Sequence, residues 1–496
     1  MPTARLVIYD ECNVRIENID PKTRRKMVSA LKFFIPQARY MPSYKLGRWD
    51  GTVSLCTSGG RTFLNMLDFN KDEKGIKQKS VMEILVDAGY EFEIDDQRKP
   101  INLEFAEIEI DYFKDTLWPT DHIAEGEPVI LRDYQIEIIN NFLKNPQCVQ
   151  EVATGAGKTL ITAALSAMAE EYGRTVVIVP NRDLVTQTEE DYKNLGLDVG
   201  VFYGGRNEWN KTHTICTWQS LDRLDKKSKD HLTEEEIGDF LEGVQCIMVD
   251  EVHGAKADVL KRLLTGPFAN CPIRWGLTGT VPKEDFNFVN ILASLGPVIN
   301  KLAAKELQDM GVLARCNVNI RQTKEVTQYD NYQTELKFLL QDKRRASFLA
   351  EEISKIATTG NTLVLIQQVG AGEQLTEFLG EKATFVYGGT KSQDRQDEYK
   401  SVHHSDDKII VATYGVAAVG INIPRIYNLV LIEPGKSFVR VIQSIGRGLR
   451  KAKDKDSVEV WDFTSTCKFS ARHLTARKRF YKDAEYPYKV VKLDYL

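Results

Sequence analysis

Residues 153–159 read A-T-G-A-G-K-T and open a run of helical length, L-I-T-A-A-L-S-A-M-A. Glycine adopts left-handed backbone conformations without steric cost, so Gly155 and Gly157 let the loop curl until its N–H groups face one point. Such a ring of donors at a helix N-terminus is an anion site suited to phosphate oxygens. Thr154, Gly155, Ala156, Gly157, Lys158 and Thr159 therefore read as a cradle for the phosphates of ATP. In that cradle Lys158 reaches the β- and γ-phosphates, and the Thr159 hydroxyl binds Mg²⁺. The general pattern has a glycine five residues before Gly157, where this chain has Val152. Farther along, Asp250 and Glu251 end the apolar run C-I-M-V. Carboxylates at the C-terminal end of a strand face the crevice where α/β sheets bind ligands. One of the pair can hold Mg²⁺ while its neighbour polarises the attacking water. A chance glycine-rich turn is the competing reading of the loop, and the strand–loop–helix context argues against it.

A parallel sheet would hold these groups in place. From about residue 130, helical stretches alternate with bare apolar runs: T-V-V-I-V-P (175–180), H-T-I-C-T (213–217), C-I-M-V-D-E (246–251) and R-W-G-L-T-G-T (274–280). Bare apolar strands separated by helices imply a parallel sheet buried on both faces. The alternation restarts at T-L-V-L-I (362–366), F-V-Y-G-G (385–389), K-I-I-V-A-T (408–413) and N-L-V-L-I-E (428–433), with a boundary near Gly311–Cys316. Ahead of both lies a smaller α+β region. Residues 5–18 read as a hairpin and 21–34 as a helix. T-V-S-L-C and T-F-L-N-M-L read as strands, and V-M-E-I-L-V-D-A-G-Y as a helix ending at Gly89. The expected organisation is a small α+β domain over 1–97, an acidic linker with some strand over 98–127, and two α/β domains over 128–312 and 313–496.

Composition narrows the class. A chain of 496 residues, 42% hydrophobic and 27% charged, is that of an ordinary globular protein of several domains. It contains no apolar run of membrane-spanning length, and its first residues lack a signal-peptide core. The eight cysteines are scattered without a C-x-x-C pair, so they read as free thiols in a reducing cytoplasm. The net charge of −4 conceals an asymmetry: Lys22 to Arg61 carries nine basic residues against Asp50 alone, while Glu83 to Glu127 carries fourteen acids against three bases. A basic segment of this kind is either a solvated face or a surface for a polyanion.

The cradle, D-E-V-H (250–253) and T-G-T (278–280) together resemble the DExH group of superfamily 2 helicases, over roughly residues 128–465. The resemblance implies two RecA-like domains and assigns further residues. Arg132 and Gln135 of L-R-D-Y-Q look like the adenine-reading segment. His253, Thr278 and Thr280 look like the residues that couple ATP state to domain movement. A-T-Y-G-V-A-A-V-G-I-N-I-P (412–424) is similar to motif V, and Q-S-I-G-R-G-L-R (443–450) to motif VI. In motif VI, Arg447 and Arg450 would face the γ-phosphate and stabilise charge developing in phosphoryl transfer, as arginine fingers do, with Gln443 a further catalytic candidate. The resemblance also places Pro180, Asn181 and Arg182, with Thr217 and Gln219 of T-W-Q-S, along a nucleic-acid backbone. Gln367, Gln368, Thr413, Gly420 and Asn422 would do the same on the second domain. Contacts to phosphate position a strand without reading its sequence. Trp218 reads as core.

K-L-G-R-W-D-G (45–51) sits in the basic segment. Arg48 and Trp49 could dock DNA by phosphate contact and base stacking. Alternatively, Trp49 plugs the small domain's own core while Asp50 caps a turn. A small N-terminal domain with this turn, ahead of a compact motor, is similar to the phage UvsW-type recombination and fork-remodelling helicases. That likeness implies branched DNA (forks, D-loops, Holliday junctions) as partner, with a single-stranded tracking strand, and the host cytoplasm as location if the protein is phage-encoded. The basic stretch A-R-H-L-T-A-R-K-R-F-Y-K (471–482) reads as a helix whose Arg472, Arg477, Lys478, Arg479 and Lys482 either follow a duplex arm or form a solvated face. An RNA helicase and the motor of a restriction or repair nuclease are the alternatives. Glu398 and Lys400 form an E-x-K without the rest of a nuclease site. Intact Lys158, Glu251, Arg447 and Arg450 argue against a non-catalytic clamp.

Overall fold

Short apolar strands alternating with helices build two parallel sheets, and a smaller sheet precedes them. The computed structural model describes the chain apart from residues 1, 70–78, 121–123, 231–235, 252–256, 280, 282–284, 327, 403–404, 418–424, 437–455 and 496. The expected site residues His253, Thr280, Gly420, Asn422, Gln443, Arg447 and Arg450 lie outside the described residues. The chain divides into two units, Met1–Pro119 with Gly126–Glu151 and Lys158–Lys301, and Thr120–Glu125 with Val152–Gly157 and Leu302–Leu496. No helix among the described residues is long and apolar enough to cross a membrane. All eight cysteines are free and buried.

In the first unit, the N-terminal sheet has the order Arg61–Phe63, Asn13–Glu17, Thr3–Ile8, Glu91–Asp96. The first two strands in sequence form the expected antiparallel hairpin, and Glu91–Asp96 runs parallel to Thr3–Ile8. The expected helix over 21–34 stops at Ala30, and the chain continues as strand Lys32–Phe34. There the side-chain period changes to two, with Phe33 buried between exposed Lys32 and Phe34. T-F-L-N-M-L is likewise strand only to Phe63, followed by a 3₁₀ turn over Leu64–Met66. This sheet shares its core with a helix of the following α/β domain: Leu6, Ile16, Met27 and Leu85 cluster with Phe286, Val289 and Leu292 of helix Asp285–Leu295. Glu11 N donates to Ala269 O (3.0 Å) and Asn13 Nδ2 to Thr265 O (2.9 Å), fixing the sheet to the motor's own helix ends. Residues 98–119 form no helix or strand beyond the single bridge Leu117–Pro128. They lie along the motor, with Ile108 N donating to Asn140 Oδ1 (2.9 Å) and Phe105 against Trp275.

The first motor sheet has the order Arg206–Asn207, Val199–Tyr203, His213–Thr217, Arg174–Val179, Val244–Asp250, Ile273–Thr278, Gln147–Val152, Val298–Leu302. The six central strands pair in parallel, and their side chains are nearly all buried, as bare apolar runs require. Arg274, fully buried in this sheet, donates to the carbonyls of Leu264 and Ser294, in the last turns of helices Ala257–Thr265 and Asp285–Leu295, and of Phe268 in the turn after the first. A guanidinium there complements the negative end of each helix dipole.

In the second unit every strand pairing is parallel, in the order Ala383–Val386, Ile409–Thr413, Thr362–Ile366, Asn428–Ile432, Ser457–Ser465, Arg315–Thr323, Tyr488–Leu493. Three of these strands escaped the sequence reading: Arg315–Thr323, Ser457–Ser465 and Tyr488–Leu493. F-V-Y-G-G gives a strand displaced toward its N-terminus, Ala383–Val386. Helix Lys468–Asp483 is present as expected, but Arg477 on it is not a surface cation. Its guanidinium is fully buried, forked onto Asp462 (2.8 and 3.0 Å), with Nη1 donating to Gly435 O (2.7 Å). Arg477 is therefore removed from any duplex-binding role, because its charge is already met inside the fold.

Candidate nucleotide site and nucleic-acid interface

Strand Gln147–Val152 ends at the loop 153–157, and helix Lys158–Ala169 follows directly. Gly155 and Gly157 have φ of +90° and +81°, the left-handed conformation that the cradle demands. At Gly155 a Cβ would also come within 2.7 Å of the tip of the Leu313 side chain, which would have to move aside, and the positive φ strains any residue with a side chain there. Ala156 is buried and its N–H turns back to Ala153 O (3.3 Å).

Strand Ile273–Thr278 lies between Gln147–Val152 and Val244–Asp250, so three neighbouring parallel strands end side by side. Each carries one of the motifs at its C-terminal end. Glu251 joins all three: Oε1 is 2.9 Å from Lys158 Nζ, and Oε2 accepts a hydrogen bond from Gly279 N at 3.2 Å. Its own backbone is left-handed, with φ of +55°. A non-glycine residue held in that region costs about 1–3 kcal/mol, and such strain gathers at functional sites. Asp250 Oδ1 accepts from Glu251 N (2.9 Å). Burial, followed by the neighbouring Glu251 carboxylate, pushes the Asp250 carboxyl up to about 7, against an opposing pull from Lys158. The site thus has a strong demand for positive charge. Thr278 is fully buried at the end of its strand. Gly279, whose N–H is the third member of the bridge, belongs to the expected T-G-T segment, although only its two threonines carry an expected role. The structure adds that the contact is made by the glycine's backbone rather than by a threonine side chain.

Arg132 and Gln135 meet at the start of helix Asp133–Lys144, where Gln135 Oε1 accepts from Arg132 N at 3.0 Å. Gln135 is buried and Arg132 exposed. The helix is tied to the loop-bearing strand by Gln150 Nε2 donating to Ile138 O (2.8 Å).

Two of the expected nucleic-acid segments converge. Gln219 Nε2 donates to Pro180 O (3.3 Å), joining the turn after strand Arg174–Val179 to the turn after His213–Thr217. Gln219 and Arg182 are exposed. Asn181 caps helix Arg182–Asn194 by accepting from Leu184 N (3.0 Å). Thr217 is buried, and its hydroxyl is engaged by Ser220 Oγ (3.0 Å) and Ser220 N (3.4 Å). It shapes this path through the helix cap, and its side chain is closed to a strand. Trp218 packs against the sheet's core. In the second unit, Gln367 Nε2 donates to Glu433 O (2.7 Å), Gln368 Oε1 accepts from Gln341 Nε2 (3.1 Å), and Thr413 is buried at a strand end. Glu433, at φ of +42°, is held by Arg345 (2.9 Å) and Ser470 (2.7 Å).

In the N-terminal turn, Gly47 and Gly51 have φ of +67° and +78°, and a Cβ on Gly51 would strike the Phe34 ring at 2.5 Å. Asp50 caps the turn, accepting from Thr52 N (2.9 Å) and Thr52 Oγ1 (2.6 Å). Trp49 is half-buried and donates from Nε1 to Thr52 O (2.8 Å), so it neither plugs the core nor stands free. Arg48 is exposed.

A phosphate loop and an acidic strand end, on parallel strands either side of Ile273–Thr278, define a P-loop nucleotide hydrolase. Residues 128–283 match the family described as "Type III restriction enzyme, res subunit", and residues 344–452 match "Helicase conserved C-terminal domain". The ATP-dependent DNA helicase uvsW of Enterobacteria phage T4 is 24% identical over 95% of this chain and 92% of its own length. The DNA 3'-5' helicase XPB of Kineococcus radiotolerans is 27% identical over 76% of this chain and 69% of its own length. In fold, a fragment of a putative HsdR subunit of a type I restriction enzyme from Vibrio vulnificus aligns with a TM-score of 0.55 at 15% identity, over 97% of this chain and 85% of that one. The chain is a superfamily 2 helicase of the DExH group, similar to the UvsW type, and hydrolyses ATP to drive unwinding.

Proposed function

We propose that this chain is an ATP-dependent DNA helicase that unwinds or branch-migrates forks, D-loops and Holliday junctions in recombination, repair and replication, in the host cytoplasm if the protein is phage-encoded. The observation that carries the motor reading is the bridge from Lys158 through Glu251 to Gly279. In it, Lys158 neutralises the terminal phosphates, Glu251 orients the attacking water and accepts its proton, and Gly279 senses the state of Glu251 through their hydrogen bond. Thr159 and Asp250 fit Mg²⁺. Among the described residues no three His, Cys, Asp or Glu gather as a metal site, and Mg²⁺ takes few protein ligands, filling its octahedron with phosphate oxygens and water. Bound Mg²⁺ would offset charge on the phosphates as they separate. Arg132 and Gln135 hold the adenine. Gln443, Arg447 and Arg450 supply charge from the second domain, and His253, Thr278 and Thr280 relay the result.

DNA as the substrate is supported by the names of the matching relatives and by the basic N-terminal segment carrying Arg48 and Trp49. On the first unit Pro180, Asn181, Arg182 and Gln219, with the helix cap at Thr217, are the candidates for contact with a nucleic-acid backbone; on the second the candidates are Gln367, Gly420 and Asn422, with Thr413 buried behind them in the strand end. The test is a gel assay with end-labelled forks and mobile four-way junctions. ATP-dependent conversion to separated arms, lost with Lys158→Ala, is expected. Activity confined to linear partial duplexes would contradict the branched-DNA reading. A second reading, the motor of a restriction enzyme, is favoured by the description of the match over 128–283. ATP-dependent cleavage of the same DNA would establish it.

A further inference from the structure

Strands Lys32–Phe34 and Thr52–Ser54 pair antiparallel, and Ile35 N donates to Gly51 O (2.9 Å), closing the base of an excursion over residues 35–51. The excursion contains a 3₁₀ turn, Pro36–Tyr40, and a one-turn helix, Pro42–Lys45. Its inner side is anchored, since Phe33 and Ala38 are buried and Trp49 is tied to Thr52 O. Its outer side is not covered. Tyr40 is 79% exposed, Leu46 64% and Met41 40%, and at the base of the excursion the part-exposed Phe34 lies under the guanidinium of Arg39, 5.4 Å from the ring centroid. Large apolar side chains gathered on one exposed turn mark a contact surface.

Charge identifies the occupant. Arg39, Lys45 and Arg48 are exposed around these side chains. The one acid of the segment, Asp50, is already engaged by Thr52 and by Lys32 (3.3 Å). Cations beside exposed aromatic and aliphatic groups match a chain of phosphates whose bases are free to stack. A paired duplex hides its base faces, so the fit is to unpaired nucleotides.

We propose that Tyr40, flanked by Met41 and Leu46, is the stacking platform for unpaired bases at a DNA junction, while Arg39, Lys45 and Arg48 hold the adjoining phosphates. Trp49 acts as the internal strut of this turn. The proposal rests on the reading that the chain acts on branched DNA, and it moves the base contact from the tryptophan to the tyrosine.

The experiment uses the full chain and a fork carrying 2-aminopurine at the first unpaired position, with a linear single strand of the same sequence as reference. Stacking quenches this base. The wild-type chain is expected to quench it and to bind the fork more tightly than the linear strand. Tyr40→Ala should abolish the quench and weaken fork binding about tenfold, the scale of one lost base stack. Tyr40→Phe should retain both. Unfolding midpoints should be unchanged, since Tyr40 contributes little to the core. A Tyr40→Ala chain that quenches and binds forks like wild type overturns the platform and leaves the branched-DNA reading standing. So does a Tyr40→Phe chain that fails like Tyr40→Ala, which would assign the role to the hydroxyl. A wild-type chain with no preference for the fork defeats the branched-DNA reading, and the platform with it.

Discussion

Lys158 Nζ stands 2.9 Å from Glu251 Oε1, although the two residues come from different ends of the first motor domain's sequence. The sheet order produces this approach. With Ile273–Thr278 inserted between the strands that carry them, the lysine and the carboxylate converge over the end of that middle strand. Glu251 thereby contacts both Lys158, which follows the loop 153–157, and Gly279 of T-G-T. In the proposed mechanism, this hydrogen bond would carry an event at bound phosphates to Gly279.

Breaking the pair from either side should separate binding from turnover. Lys158→Ala is expected to lower ATP turnover about a hundredfold or more, the scale of losing one electrostatic stabiliser in a transition state, and to leave DNA binding largely intact. Glu251→Gln keeps the shape but removes the charge. It should retain nucleotide affinity while losing turnover to a similar degree. Steady-state hydrolysis together with a fluorescent-nucleotide titration checks both.

Arg477 gives a different kind of expectation. Arg477→Ala leaves Asp462 buried without its partner, and removal of one member of a buried pair costs about 3–5 kcal/mol. Tyr481 also donates to that carboxylate (2.7 Å), so the loss spreads through a network. Chemical denaturation should show the change in the second unit's transition. The salt dependence of DNA binding should keep its slope, because a buried cation releases no counterion from DNA.

The candidate nucleotide site was legible as a sequence pattern because its parts are contiguous. Loop, lysine and hydroxyl occupy seven successive residues, and the acidic pair ends a bare apolar strand. The second unit's missed strands follow other rules. Arg315–Thr323 reads R-C-N-V-N-I-R-Q-T, alternating like a half-exposed strand, yet it sits inside a parallel sheet. Its polar positions are satisfied by partners distant in sequence: Asn319 Nδ2 donates to Glu459 Oε2 (2.6 Å) and Asn317 Nδ2 to Glu459 Oε1 (2.8 Å). Arg477 misled for the same reason, since an arginine in a basic helix looks solvated until Asp462 is placed opposite. At the N-terminal turn, the glycines and the Asp50 cap were readable from local geometry. Which aromatic faces outward was not, because the burial of Trp49 and the exposure of Tyr40 depend on how the excursion folds back.

His473 makes stability depend on pH. Its ring packs edge-on to Tyr332 (4.7 Å), and burial, reinforced by Arg477 and Lys436, pushes its pKa down from 6.5 to about 4. Below pH 6.5 the unfolded chain takes up a proton that the folded chain refuses. Stability is therefore full above that value and is lost as pH falls toward 4. The loss should be roughly 1–2 kcal/mol, less than the whole shift implies because the ring is partly solvated. Melting curves at pH 7, 6 and 5 should fall in sequence, and His473→Gln should flatten the decline.

The most direct test is ATP hydrolysis measured in parallel with DNA forks, four-way junctions, linear single strands and matched RNA at one salt concentration. The account predicts the strongest stimulation by forks and four-way junctions, with RNA weakest. Equal stimulation by all four, or the strongest by RNA, would leave the motor in place and contradict the claim that this chain is built to work on branched DNA.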